Sequence, residues 1–142
     1  MVNRRPSALV RNQPTAGSKL ATMHKVLLVE DDPTMLNLLD TLFKIEGFAV
    51  ARCDGSDLDV LLDLARHEAP DAALLDVHLK RMNGLEALRR IRQDPQLYKV
   101  KVVMTSGLDK RTESLAAGAD DFIQKPFMPE QLVNIIRKRL LS

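Results

Sequence analysis

Three observations predict an α/β protein built on a parallel sheet. From Lys25 onward, short apolar runs alternate five times with segments of helical periodicity, the pattern of strand and crossover helix. The residues just after those runs are chemically select, with acids after the first and third, hydroxyls after the fourth and a lysine after the fifth. The 142 residues suffice for one domain with a real core and are too few for two of ordinary size. With 45% apolar and 28% charged residues the composition is that of a globular protein, and no apolar run approaches the roughly 18 residues of a membrane span.

The strands are expected at 26–29, 48–51, 72–75, 100–104 and 122–124. Pro33, suited to an opening helical turn, begins the first helix, which ends at Gly47. Its expected inner face is Met35, Leu38, Leu39, Leu42 and Phe43. Leu58, Leu61, Leu62 and Ala65 recur at helical spacing in the second helix. The third is carried by Leu85, Leu88 and Ile91 and is stopped by the Asp94-Pro95 pair. A short fourth helix spans roughly residues 110–117 and stops at Gly118. The fifth opens at Pro129 and turns Leu132, Ile135, Ile136 and Leu140 inward.

Residues 1–24 have a different composition, rich in Pro, Ser, Thr, Asn, Gln and Gly and without apolar periodicity. They are expected to form a flexible basic tail ahead of a globular domain at 25–142. A transit peptide, or a translation start at Met23, are the other accounts of this segment. The tail holds Arg4, Arg5, Arg11 and Lys19 and no acid, so of the 21 bases 17 remain in residues 25–142 against all 19 acids. The domain is therefore slightly acidic and lacks the clustered basic face of a nucleic-acid binder. A lone cysteine, Cys53, cannot make an internal disulfide; it reads as a small buried strand residue in a protein of the reducing cytoplasm.

All strands of a parallel sheet point one way, so the residues that follow them share one edge, the edge where open α/β sheets bind ligands. Glu30, Asp31, Asp76, Thr105, Ser106 and Lys125 are those residues. Two carboxylates about 4 Å apart repel by roughly 4 kcal/mol at an effective dielectric near 20, so the cluster calls for a cation. Hard oxygen donors with no Cys or His cluster suit a partly hydrated Mg²⁺ better than a soft transition metal. Asp32 stands apart from this set and reads as the residue that starts the first helix, where negative charge is favourable.

Four segments in order, "LLVEDDP", "LLDVHL" with Gly84 eight residues after Asp76, "VVMTSG" and "GADDFIQKPF", resemble the receiver domain of two-component response regulators, which includes the chemotaxis response regulator. The resemblance covers Lys25 to about Leu141. It implies a doubly wound, flavodoxin-like (βα)5 fold with strand order 2-1-3-4-5, an order that general accounts of this fold already attach to this family. It also implies that Asp76 accepts a phosphoryl group from a histidine kinase or phosphotransfer protein. Mg²⁺ would be held by Glu30, Asp31, Asp76 and the backbone carbonyl of His78. Thr105 and Lys125 would contact the phosphoryl oxygens, with the Ser106 backbone also on the phosphate, and Thr105 and Phe122 would form the switch pair. The Lys125-Pro126 bond is expected to be cis. Such a chain is no conventional enzyme, catalysing only its own phosphorylation and dephosphorylation. It would act as a monomer or weak dimer on a downstream protein, through the fourth helix, fifth strand and fifth helix, without touching nucleic acid or membrane.

The sequence departs from the family pattern in three places. Lys80 stands where proline is usual, four residues past the phosphoacceptor, and a more mobile loop is expected there. The chain from Thr105 to Gly118 is about two residues short, and Phe122 replaces the common tyrosine. A stand-alone receiver is the leading expectation, with a receiver fragment of a longer regulator as its close variant. A Mg²⁺-dependent aspartyl phosphatase is a rival, but it needs a second acid two residues after the nucleophile, where this chain has His78, and a cap over the site. A non-phosphorylated pseudo-receiver is disfavoured by the complete set of acids, Thr105 and Lys125.

Overall fold

The computed structural model describes residues 23–141. The expected tail lies outside the described residues except for Met23 and His24. Five strands and five helices alternate: β1 (Lys25–Val29), α1 (Pro33–Ile45), β2 (Ala49–Cys53), α2 (Leu58–Glu68), β3 (Ala72–Asp76), α3 (Gly84–Gln93), β4 (Lys101–Ser106), α4 (Arg111–Ala116), β5 (Asp121–Gln124) and α5 (Pro129–Leu140). The strands are all parallel, in the order β2-β1-β3-β4-β5, the doubly wound flavodoxin-like arrangement that the resemblance implied.

Central strands buried on both faces read as continuous apolar runs, and β1 is one. Val26 and Leu28 meet α1 and α5 across one face, in a core with Leu39, Phe43, Leu132 and Ile136. Leu27 and Val29 point to the other face, among Leu61, Leu62, Leu88, Ile91 and Met104. The sheet is thus held from both sides, which fixes the heights at which its strand ends emerge.

Three expected details are corrected. In α1 the buried residues are Leu36, Leu39, Asp40 and Phe43, while Leu38 is 49% exposed and Met35 and Leu42 are only partly covered. The helix has more apolar residues than one face can bury, and the sheet takes the stripe that contains Phe43. That ring meets Phe48 edge to face at 5.2 Å between centroids. Phe48 accordingly closes the α1–β2 turn, with β2 beginning one residue later. In α5 Val133 is buried with Leu132 and Ile136, and Ile135 and Leu140 are half-covered. Asp32 caps α1 as expected, its carboxylate accepting from the Thr34 N–H at 3.0 Å. Cys53, the last residue of β2, is buried, and that burial pushes its thiol pKa up. Among the described residues no helix is long and apolar enough to cross a membrane.

Candidate functional site at the strand ends

Register brings the predicted residues together. β1 and β3 are paired up to Val29 and Leu75, so Glu30 and Asp76 leave the sheet side by side. Asp76 pairs directly with Thr105, and Ser106 with Gln124, after which the Lys125 N–H donates to the Ser106 carbonyl at 2.8 Å. Asp76, Thr105 and Ser106 are the last residues of their strands rather than the first of the loops, and all three are buried, as is Glu30. Asp31 is half-buried and Lys125 reaches in from the rim. The Lys125-Pro126 bond is cis, as expected.

Lys125 is the electrostatic centre. Its Nζ donates to Asp76 Oδ2 at 2.5 Å and to Glu30 Oε1 at 3.4 Å. Burial alone would lower the ammonium pKa, but the bond to Asp76 and the charges of Asp76 and Glu30 outweigh it, and the net shift is upward. Glu30 moves up as well. Its burial raises the carboxyl pKa, and the nearby Asp76 charge adds to this, against the opposing pull of the Asp32 N–H (3.1 Å) and Lys125. One ammonium is therefore shared between two acids.

Backbone groups fix the acids further. The His78 N–H donates to Asp76 Oδ1 at 2.9 Å, so both carboxylate oxygens of Asp76 are engaged. Gly84, the first residue of α3, lies so close to the end of β3 that a Cβ there would stand 2.0 Å from the Asp76 carbonyl oxygen. Only glycine permits that approach. The Asn83-Gly84 pair of the second motif thus has a mechanical role: Asn83 caps α3, accepting from the Leu85 N–H at 2.9 Å, and Gly84 lets the helix abut the strand end.

The loop between β3 and α3 differs from expectation. Lys80, expected to loosen it, supplies an N–H that a proline would lack, and this N–H donates to Asp31 Oδ2 at 2.6 Å. His78 is exposed, yet its Nδ1 lies 3.1 Å from Ser106 Oγ, joining the β3–α3 loop to the end of β4. Neither contact was read from the sequence. The only signal for the first was the missing proline; the second left none.

Glu30 and Asp76 are linked through Lys125, while Asp31 turns toward Lys80. Among the described residues no three His, Cys, Asp or Glu side chains form a ready-made metal cage. The donor set nevertheless fits Mg²⁺, which keeps several waters and takes one or two carboxylates rather than an all-protein shell. A cleft of about 400 Å³, lined by Asp31, Asp54, Gly55, Ser56, Lys80 and Arg81, opens beside Asp31.

Residues 26–137 match the family model described as the response regulator receiver domain. Over 117 residues the chain is 36% identical to the DNA-binding response regulator MtrA of Mycolicibacterium smegmatis, covering 82% of this chain and 50% of that protein. It is 37% identical over 116 residues to the transcriptional regulatory protein CpxR of Klebsiella pneumoniae, covering 81% of this chain and 48% of the relative. This chain therefore spans about half the length of the curated relatives it matches. A response regulator structure from Chloroflexus aurantiacus superposes with a TM-score of 0.78 at 28% identity, covering 85% of this chain and all (100%) of that one. The receiver domain of the sensor histidine kinase PA1611 from Pseudomonas aeruginosa, solved with a magnesium ion coordinated in its active site cleft, superposes at 0.74 with 27% identity, covering 85% of this chain and 100% of its own. With its motifs seated at the strand ends of the same fold, the chain belongs to the response regulator receiver domain family.

Proposed function

We propose that this chain is a phosphoacceptor receiver: Asp76 takes a phosphoryl group from a phosphohistidine on a histidine kinase or phosphotransfer protein, with Mg²⁺ as cofactor, in the cytoplasm. The observation that carries this reading is the Lys125 ammonium held between Asp76 and Glu30, with Thr105 beside Asp76 in register. In the reaction an Asp76 oxygen attacks phosphorus while the P–N bond to the donor imidazole breaks. Its electron pair stays on the imidazole nitrogen, and an acyl phosphate forms on Asp76. Phosphoryl transfer asks mainly for positioning and charge neutralisation. Asp31 and Asp76, with the His78 carbonyl and with Glu30 directly or through water, would hold Mg²⁺, which supplies positive charge to the phosphoryl oxygens.

The chain's own groups do the rest. Lys125 exchanges its bond to the free carboxylate for one to an incoming phosphoryl oxygen, the Thr105 hydroxyl donates to another, and the Ser106 N–H faces the same group. The His78 N–H holds Asp76 Oδ1 and so limits rotation of the nucleophile. The altered surface passes to a protein partner through α4, β5 and α5. The relatives named as DNA-binding are about twice as long as the matched region; direct contact with nucleic acid is not part of the function proposed for residues 25–142.

Acetyl phosphate with Mg²⁺ should add one phosphate, located at Asp76 by mass spectrometry after borohydride trapping. Asp76→Asn should give none, and Asp31→Ala should lose the metal-dependent labelling. Full labelling of Asp31→Ala would remove Asp31 from the metal set.

A further inference from the structure

A cavity of about 430 Å³ lies where β4 begins, at the edge of the sheet opposite Asp76. The six residues of β4, at about 3.3 Å each, put roughly 16 Å between this cavity and the edge that carries Asp76. Its floor is tied down by one side chain. The Arg92 guanidinium donates to the carbonyls of Gly118 (2.8 Å), Tyr98 (3.0 Å) and Val100 (2.7 Å) and to Asp120 Oδ2 (2.9 Å), joining the α3–β4 and α4–β5 connections. Other groups around the cavity are left unused by the fold. Lys99 and Lys101 form no ion pair among the described residues. Tyr98 is half exposed, with Lys99 Nζ 5.6 Å from its ring centroid. Asp120 accepts from Arg92 and from the Val102 N–H (2.8 Å) on the same oxygen, Oδ2, and its Oδ1 has no donor among the described residues.

We propose that this cavity binds a nucleoside monophosphate, with the base against Tyr98, the phosphate on Lys99 and Lys101, and a ribose hydroxyl donating to Asp120 Oδ1. Its volume falls within the roughly 300–1,000 Å³ of small-ligand sites, and a floor already fixed by Arg92 needs no ordering when the ligand arrives. An aromatic face receives any base, so stacking and charge carry the affinity and base identity matters little. Lysine meets phosphate as a point charge, and two ammonium groups beside a ring favour a planar anion over a neutral aromatic or a bare ion. The site stands apart from the phosphoacceptor reading and needs no Mg²⁺.

The test titrates the wild-type chain, without Mg²⁺, with AMP, adenosine and inorganic phosphate, followed by amide NMR shifts. AMP should give saturable shifts at residues 98–101 and 118–120, with the amides of Asp76 and Lys125 unmoved. Adenosine and inorganic phosphate should each bind about 10-fold or more weakly, since each lacks either the charge-assisted bonds or the stacked ring. The double variant Lys99→Ala, Lys101→Ala should weaken AMP by a similar factor of about 10. Tyr98→Leu should weaken AMP and leave inorganic phosphate binding as it was. None of these side chains belongs to the buried core, so the variants keep the fold. No saturable shift with AMP at millimolar concentration, or shifts confined to the Asp76 edge, would overturn the inference. So would adenosine or inorganic phosphate binding as tightly as AMP, or an unchanged AMP affinity in either variant.

Discussion

Gly84 shows how a residue with no side chain governs the position of Asp76, the proposed phosphoacceptor, eight positions away. A methyl group at this site would meet the Asp76 carbonyl oxygen at 2.0 Å and the Val77 Cα at 2.8 Å, both of them backbone, so no rotamer change can relieve the overlap. Gly84→Ala should therefore displace either the start of α3 or the end of β3, at a cost of about 3 kcal/mol, the upper range for overpacking. Urea denaturation would measure that loss, and the amide shift of Asp76 should move with it; a stability within about 0.5 kcal/mol of wild type would show that the helix slides away freely. The site acids and Lys125 were legible in the sequence because each follows an apolar run directly, and parallel strands deliver such residues to one edge. The two ties of the β3–α3 loop were not legible. A main-chain N–H leaves no mark on the sequence beyond the absence of proline at Lys80, and the His78 ring depends on a loop path that periodicity does not specify.

Among the elements, α4, β5 and α5 are joined by a single carboxylate. Asp121, the first residue of β5, receives Arg111 from α4 at 3.4 Å and Arg139 from α5 at 3.0 Å, and its Oδ1 also accepts the Phe122 N–H at 2.8 Å. Burial alone would raise its pKa, but the Phe122 N–H and the two guanidinium groups prevail and hold it below the usual aspartate range. A carboxyl depressed in the folded state contributes stability that is present above its unfolded-state pKa and is lost as pH falls through the folded-state pKa. Asp121→Asn should thus cost about 1 kcal/mol at neutral pH, since both arginines remain partly exposed to screening water. The gap from wild type should close in acid below the ordinary aspartate range. Parallel denaturation curves of the two proteins across that range would test it, and a gap independent of pH would assign the loss to packing. This junction was invisible in the sequence, where nothing in the spacing of Arg111, Asp121 and Arg139 brings the three together. Helix periodicity likewise misplaced Leu38, because α1 carries two apolar stripes and only the packed sheet selects between them.

Across the whole molecule, the proposed reaction at Asp76 must alter a surface on the far side of β4 and β5, and the packing indicates how far that alteration reaches. Thr105 and Phe122 lie on neighbouring strands, in pairs one step apart, and both are buried to within 2% exposure. Arg111 covers the Phe122 ring with its guanidinium carbon 5.9 Å from the centroid and donates to the Phe122 carbonyl at 2.8 Å. When a phosphoryl group draws the Thr105 hydroxyl toward Asp76, the space vacated behind Thr105 is bordered by a ring that is already inside. Phenylalanine has no hydroxyl to hold it at the solvent edge, so the inward state should be well populated before phosphorylation. A modification moves an equilibrium only by its differential interaction with the two states. The phosphorylation-dependent shift in this chain should accordingly be smaller than in its Phe122→Tyr variant, whose hydroxyl favours an outward ring in the unmodified protein. The response should still travel through Arg111 into α4 and across Asp121 into α5. Addition of beryllofluoride, a phosphoryl mimic, should perturb amide NMR signals throughout residues 110–138, with larger changes in Phe122→Tyr than in the wild type. Perturbations confined to the loops around Asp76 would exclude α4, β5 and α5 as the output face, and equal amplitudes in the two proteins would show that the missing hydroxyl does not set the resting position of the ring.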